Sequence, residues 1–125
     1  MDILDALKHR DPSAPVGLEG NRIITVSAFL EEVGRWSRFF RQLGSPKTVL
    51  YCQNRIRFCE ALLGAWCART LTVLPSDLTE ATRTRLEAEG AYFVLDDSPC
   101  LAENRGDDVN TLTLSFNEIL AELFT

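Results

Sequence analysis

The sequence predicts an α/β fold: a mostly parallel sheet of βαβ units flanked by helices, with an N-terminal β-hairpin. Between Lys47 and Asp97, apolar runs alternate with helix-like blocks in the order strand, helix, strand, helix, strand. Parallel strands need a crossover connection, and a helix is the usual one, so two successive βαβ units indicate a helix-covered sheet. Nearer the N-terminus, two apolar runs flank Glu19-Gly20-Asn21, and Gly and Asn tolerate the positive φ of a hairpin turn.

One helix is predicted before this hairpin and another after it. Residues 1–14 hold a short amphipathic start that Asp11-Pro12 ends, with Ile3, Leu4 and Leu7 on one face. Ser27 is placed to cap the second helix, and Gly44 followed by Pro46 supplies its stop. Seven residues recur along it at helical spacing: Phe29, Leu30, Val33, Trp36, Ser37, Phe40 and Leu43.

The stretch from Thr48 to Pro75 predicts two buried strands joined by a helix. Thr48–Cys52 and Leu71–Leu74 are short and apolar, and Pro75 ends the second strand because it lacks a ladder donor. The helix between them is apolar on more than one face, which predicts packing on two sides. Its apolar residues are Ile56, Phe58, Cys59, Leu62, Leu63, Trp66 and Cys67.

The remaining segments predict a surface helix, a third strand, a loop and a last helix. Charged residues leave only a narrow apolar stripe on the helix that begins near Thr79, and Tyr92–Leu95 is the third strand. Residues 98–110 are polar and turn-rich, and a short fourth strand is predicted around Leu112 and Leu114. The final segment opens with a capping box, Ser115 and Glu118, and predicts an apolar helix.

The composition describes a globular domain that does not bind nucleic acid. The chain has 125 residues, which suits one domain, and its 46% hydrophobic and 25% charged residues are ordinary values. A net charge of -5 argues against a phosphate-backbone binder, which needs clustered Lys and Arg. No apolar run is long enough for a membrane helix, and the N-terminus lacks a signal-peptide layout, so a cytoplasmic location is expected.

Motifs typical of phosphate, metal or nucleophilic chemistry are missing from the sequence. No Gly-rich phosphate loop occurs, and His9, the one histidine, lies in a charged segment where we expect it to be solvated. Cys52, Cys59, Cys67 and Cys100 lie in or beside apolar runs without CxxC spacing, which predicts reduced, buried cysteines of structural role. The sequence therefore gives no catalytic, cofactor-binding or metal-ligating residue.

Three pairs of carboxylates remain as candidates. Glu31-Glu32 falls in the first turn of a helix, where negative charge favours the dipole, and Asp107-Asp108 lies in a loop as a solubilising pair. Asp96-Asp97 ends a parallel strand, the position at which function concentrates in such sheets. A phosphoacceptor receiver domain also places an Asp there, but it needs an acidic cluster after the first strand and a late lysine. Since the only lysines are Lys8 and Lys47, this alternative is disfavoured.

The order of these segments resembles the N-terminal region of AMP-forming adenylating enzymes, the superfamily of acyl-CoA synthetases, adenylation domains and luciferases. In that family a hairpin leads into a helix, then a strand ending in Asn, a helix ending in Ala-Gly and a strand closing on Pro. The likeness covers about residues 14 to 97. The positions that match are Thr25, Leu30, Asn54, Phe58, Ala61, Leu62, Leu63, Ala68 and Pro75.

The resemblance implies a parent ligase that joins a carboxylic acid to ATP, with Mg, and then transfers the acyl group to the thiol of coenzyme A or a carrier protein. The family's phosphate loop, adenine-binding strand, ribose ligand and C-terminal lysine have no counterpart in these 125 residues. Because the last helix has barely begun where the chain stops, we expect residues 1–125 to be one domain, the N-terminal subdomain of such a ligase. It would be inactive alone, bind no ATP or metal itself, pack against the rest of the ligase and tend to self-associate.

Two departures and one alternative accompany this interpretation. The family's Gly-Asp before the first βαβ strand is replaced by Gly44-Ser45-Pro46-Lys47, and Arg69 stands where its helix ends in glycine, so this helix is expected to end differently. Asn54 is predicted to be a helix cap, with Phe58 and Trp66 in the core. The alternative is a stand-alone α/β interaction or regulatory module that performs no catalysis.

Overall fold

Parallel pairing between strands that are distant in sequence organises the chain. The computed structural model describes residues 3–96, Gly106, Leu112 and residues 121–124. The predicted α/β class is confirmed. The elements are α1 (Ile3–Lys8), β1 (Pro15–Glu19), β2 (Arg22–Thr25), α2 (Val26–Leu43), β3 (Lys47–Tyr51), α3 (Arg55–Cys67), β4 (Leu71–Pro75), α4 (Glu80–Ala88), β5 (Tyr92–Leu95) and β6 (Ala121–Phe124).

The larger sheet has the strand order β5-β3-β4-β6, and every neighbouring pair is parallel. Val49 on β3 lies beside Val73 on β4 and Phe93 on β5. The N-terminal hairpin, β1–β2, is a separate antiparallel sheet whose turn contains Gly20 at φ 62°, as the turn residues predict.

The C-terminal prediction of an apolar helix is wrong for Ala121–Phe124, which forms β6 beside β4. A short apolar run fits a helix or a buried strand equally well. Here the run pairs with the open edge of β4, whose backbone N–H and C=O groups thereby gain hydrogen-bond partners. The fourth strand is therefore not at Leu112, which lies outside regular structure although it is buried. Leu114 and the capping box at Ser115 and Glu118 lie outside the described residues.

Helices cover both faces of the sheet. Leu50 and Val94 face α2 and α3 and pack with Trp36 and Phe40. On the opposite face, Val49 and Val73 pack with Leu86 of α4. Leu86 is the buried residue of α4, so the predicted surface helix is confirmed. Among the described helices, none is long and apolar enough to cross a membrane.

A further cluster joins α1 and the hairpin to α2. Leu4 and Leu7 of α1 are buried with Phe29 and Val33 of α2, as the predicted apolar face of the first helix requires. Ile24 of β2 belongs to the same cluster and is 6% exposed. The hairpin is thus fixed by its inward side chains, whereas Leu18 and Ile23 on its outer face are exposed.

The cap of α2 is Thr25, and the prediction of Ser27 is wrong by two residues. Thr25 Oγ1 accepts a hydrogen bond from the Ala28 N–H at 3.2 Å. The helix begins directly at the end of β2, because the Val26 and Ser27 N–H groups donate to carbonyls of the segment before β1. Its end is as predicted, with Gly44 at φ 66° and its N–H donating to Phe40 O.

The end of α3 contradicts the expectation drawn from Arg69. Arg69 adopts φ 60°, the left-handed conformation that usually holds glycine. Its N–H donates to Trp66 O at 3.1 Å, and the Thr70 N–H donates to Ala65 O at 3.0 Å, which are the two bonds of a Schellman motif. Because β4 begins at Leu71, the chain must reverse direction directly after the helix, and the left-handed turn does this. Arg69 adopts it although this conformation is unfavourable for a residue with a Cβ.

The two helices on one face, α2 and α3, touch at Gly64. A Cβ on residue 64 would lie 2.9 Å from Ser37 N and 3.0 Å from Val33 O, and closer still to Trp36 Cβ. Backbone atoms cannot move aside without displacing the helix, so this position requires glycine.

Replacing Gly64 with Ala should lower the free energy of unfolding by about 2 kcal/mol or more, measured by urea denaturation, because the helices must separate. In an exposed helix the same change raises stability by about 1 kcal/mol, so the sign of the effect is informative. A stabilised Gly64→Ala variant would contradict the close contact.

Replacing Arg69 with Gly should raise the free energy of unfolding by about 1 kcal/mol, because glycine adopts the left-handed turn without a Cβ clash. The matched control is Ala68→Gly, at φ -81° one residue earlier, where glycine should cost about 0.5–1 kcal/mol. Equal losses in both variants would show that residue 69 is not left-handed in solution.

Candidate functional site

The carboxyl ends of β3 and β5 meet at one edge of the sheet, where α/β proteins usually bind ligands. Asp96 follows β5, and its carboxylate accepts hydrogen bonds from two backbone N–H groups in the loop after β3. Gln53 N lies 3.0 Å from Oδ1 and 2.9 Å from Oδ2, and Asn54 N lies 3.1 Å from Oδ1. The sequence-predicted candidate is therefore bound to the protein's own backbone. Its neighbour Asp97 lies outside the described residues.

The same network includes the start of α3. Asn54 is the cap of this helix, and its side-chain oxygen accepts from the Arg57 N–H at 3.1 Å, as predicted. The Arg57 guanidinium donates to Leu95 O at 3.1 Å and to Asp96 O at 3.0 Å. Two sets of hydrogen bonds thus join the end of β5 to the beginning of α3. The Asp96 carboxylate accepts from backbone N–H groups before α3, and the Arg57 guanidinium of α3 donates to backbone carbonyls at the end of β5. We call these groups of Asp96, Gln53, Asn54 and Arg57 the strand-end network.

Hydrogen bonding in the strand-end network favours the ionised form of Asp96. The hydrogen bond from the Gln53 N–H, followed by that from Asn54, lowers the pKa of the Asp96 carboxyl below its usual value. Nearby Cys52 is half-buried, and burial, followed by the charge of Asp96, raises the pKa of its thiol. A carboxylate whose pKa is lowered by backbone hydrogen bonds and a protonated thiol make a poor base and a poor nucleophile at neutral pH.

Asp96 uses two of the backbone N–H donors that a phosphate could bind at this edge. Helix N-termini bind phosphate through free backbone N–H groups, but here the Gln53 and Asn54 N–H groups donate to the carboxylate. Within residues 3–96 and the shorter described pieces, no group of three or more His, Cys, Asp or Glu side chains could hold a metal ion. The arrangement around Asp96 holds the end of β5 to the beginning of α3.

Other candidate residues lie apart from this network. Phe58 packs in the cluster on the α2 and α3 face, and the indole N–H of Trp66 donates to Thr72 Oγ1 at 2.9 Å, so both take the core roles predicted. The prediction that Glu31-Glu32 falls in the first turn of the helix is wrong, because α2 begins at Val26 and its first turn holds no acidic residue. Glu32 pairs with Arg35 at 2.8 Å, whereas Glu31 is exposed. His9 is also exposed, as predicted, and Cys100 and Asp107-Asp108 lie outside the described residues.

The prediction of buried cysteines is wrong for Cys59, which is exposed. Cys52 and Cys67 are half-buried, and all three are free thiols. Because α3 is apolar on several faces, its sequence pattern does not identify the face that meets water.

Sequence reasoning missed Glu60, a half-buried carboxylic acid on α3. Burial, followed by the charges of Glu32 and Glu19, raises its pKa to about 8. A signal was present, because Glu60 is the one charged residue between Arg57 and Arg69. A single charged side chain on an apolar helix either reaches water or is buried with a shifted pKa, and only the packing of the helix decides which.

A cavity of about 210 Å³ lies between α1 and the start of α2, with Lys8, Arg10, Ser27 and Glu31 at its polar positions. The first-turn N–H groups of α2 are already used: Val26 N donates to Ala14 O at 2.9 Å and Ser27 N to Pro12 O at 3.0 Å. The helix N-terminus therefore offers this cavity no free anion-binding donors in its first two residues.

Replacing Asp96 with Asn should lower the free energy of unfolding at neutral pH, because it removes the charge that strengthens the bonds from Gln53 and Asn54. The pKa of this group is lowered on folding, so its contribution is full above the unfolded value of 3.8 and is lost as pH falls through the lower folded value. The difference between wild type and Asp96→Asn should therefore shrink below pH 3.8.

The measurement is urea denaturation between pH 2 and 7. Asp77→Asn, in the loop after β4, removes the same charge elsewhere, so that an effect common to both variants reflects net charge alone. A difference that stays constant across the acid range would argue against the carboxylate bonds.

Comparison with known proteins supports the fold. No family model and no curated protein matches the sequence. Solved structures of o-succinylbenzoate CoA synthetase (MenE) from Bacillus subtilis match the structure. The complex with the acyl-adenylate intermediate OSB-AMP has a TM-score of 0.61 and 17% identity, and the match covers 90% of this chain and 33% of that one. The complex with AMP has a TM-score of 0.61 and 16% identity, and the match again covers 90% of this chain and 33% of that one.

A double mutant of the same synthetase, bound to the product analogue OSB-NCoA, has a TM-score of 0.57 at 16% identity, covering 90% of this chain and 26% of that one. The chain thus spans about a third of the length of the first two synthetase structures. The resemblance to AMP-forming adenylating enzymes that residues 14–97 predict is confirmed at the level of the fold.

Proposed function

We propose that this chain is the N-terminal subdomain of an adenylate-forming acid–thiol ligase and acts there as a scaffold. The observation that carries the proposal is the fold match over 90% of the chain to a CoA synthetase solved with an acyl-adenylate. In a ligase of this kind a carboxylic acid and ATP give an acyl-adenylate and pyrophosphate, and a thiol then displaces AMP to form a thioester.

The described residues support a scaffold more than a reactive role. In the strand-end network, hydrogen-bond donors and acceptors of the chain bond to one another. Apolar side chains of the helices cover both faces of the sheet. Rigid ends of β3 and β5 would hold the loop at Gln53 and Asn54 in one position. Loops held in this way can form one wall of a site whose reactive groups come from elsewhere in the protein.

The strand-end network argues against binding of the ATP phosphates at this edge of the sheet. The phosphates would compete with Asp96 for the same N–H groups, and that carboxylate would repel them. Under this proposal, the remainder of the ligase supplies the phosphate loop, the metal ligands and the catalytic lysine, and it is the partner of this chain.

Isothermal titration of the 125-residue chain with Mg-ATP tests the scaffold role. We expect no binding up to millimolar nucleotide, because the Gln53 and Asn54 N–H groups are occupied and the Asp96 carboxylate would repel the phosphates. Dissociation in the micromolar range would overturn the assignment of roles.

The coding region tests the family assignment separately. A reading frame that continues into a Ser/Thr/Gly-rich loop ending in Pro-Lys, with acid-dependent ATP–pyrophosphate exchange by the whole product, is the expected result. A frame that stops after residue 125 would contradict the proposal and favour a stand-alone module.

A further inference from the structure

Glu60 lies where α2, α3 and β1 meet, away from the strand-end network. One turn earlier on α3, Ile56 Cδ1 lies 2.7 Å from the position of a Cβ on Gly17 of β1. One turn later, Gly64 lies against the backbone of α2. Residues four apart share one face of a helix, so Glu60 is placed between the hairpin contact and the α2 contact.

Charged groups reach this junction from all three elements. Glu32 and Arg35 of α2 form an ion pair at 2.8 Å, and Glu19 comes from β1. Arg57 is on the same helix, but its guanidinium donates to the carbonyls at the end of β5. Burial and the two carboxylates favour the neutral acid, and the two arginines oppose them. Within the described part of the chain, no hydrogen bond contributes to this balance.

The two contacts on either side of Glu60 differ in strength. α2 is held to α3 by backbone against backbone at Gly64, which cannot open without separating the helices. β1 meets α3 through the side chain of Ile56 on Gly17 and belongs to a two-stranded sheet. Such a hairpin is marginally stable by itself and depends on what it packs against. Because the contact of β1 with α3 is made by a side chain, it can adjust to an ionised Glu60 more easily than the backbone contact of α2 with α3.

We propose that Glu60 is a protonation-dependent latch, whose neutral form lets the N-terminal hairpin dock on α3 and whose ionised form loosens that contact. The step is a simple ionisation, in which the carboxylic acid releases its proton to solvent and no other bond changes. The docked state binds the proton more tightly than a solvated Glu does, so docking is strongest at acid pH. It weakens as pH rises from the ordinary Glu value of 4.5 towards about 8.

NMR titration of the 125-residue chain from pH 5 to 10 tests the latch. Glu60 Cδ should titrate with a midpoint near 8, and the methyl groups of Ile56 and Ile24 should shift with the same midpoint because they report the hairpin contact. In Glu60→Gln those methyl shifts should be flat. Methyl groups that do not respond in wild type, or that still titrate in Glu60→Gln, would overturn the proposal.

Two further variants give opposite shifts, which a merely local structural change would not produce. Glu19→Gln removes a repelling charge and should lower the Glu60 midpoint, whereas Arg35→Gln removes an attracting charge and should raise it. The control is Glu80→Gln, the same chemical change on α4 across the sheet, which should leave the Glu60 midpoint unchanged. A Glu60 that is already ionised at pH 5, as its ordinary pKa of 4.5 would make it, would also contradict the latch.

Discussion

The hydrogen bonds between the Asp96 carboxylate and the loop after β3 are the constraint on which the strand-end geometry depends. A parallel sheet presents unsatisfied N–H groups wherever a strand turns into a helix, and many proteins use them to bind anions. This chain supplies the anion itself. The Arg57 guanidinium adds the complementary bonds to the carbonyls that end β5. The carboxylate at the position that normally suggests a ligand is here bound by the chain's own backbone, which agrees with the scaffold role proposed above.

Two kinds of contact hold the parts of the molecule together. Backbone atoms meet directly where α2 contacts α3, whereas the hairpin is held by side chains. The sheet, α2 and α3 are joined by Gly64 and by the cluster around Trp36 and Leu50. The hairpin is joined by Ile24 and by Ile56 on Gly17. Glu60 lies between the two parts, so a single ionisation acts on the weaker contact first. This difference in packing, and not the chemistry of the carboxyl alone, makes a latch possible.

Features that depend on local sequence were predictable, and those that depend on distant partners were not. The βαβ alternation, the cap at Asn54 and the left-handed stop at Gly44 follow from residue type and spacing. The strand at Ala121–Phe124 did not follow, because pairing with β4 outweighs the helical pattern of a short apolar run. Thr25 replaced Ser27 as a cap because β2 continues to the helix, and Arg69 became left-handed because β4 begins two residues later. For the site, the sequence indicated Asp96 as a candidate but could not indicate that its partners are backbone N–H groups.

The amide proton shifts of Gln53 and Asn54, followed by NMR from pH 2 to 7 with and without Mg-ATP, test the central claim most directly. If Asp96 holds these donors, both amides should move upfield together as the carboxyl is protonated, with a midpoint below 3.8, and the nucleotide should change neither shift. Amides that do not titrate, or that move when Mg-ATP is added at neutral pH, would contradict the account and indicate an open phosphate site.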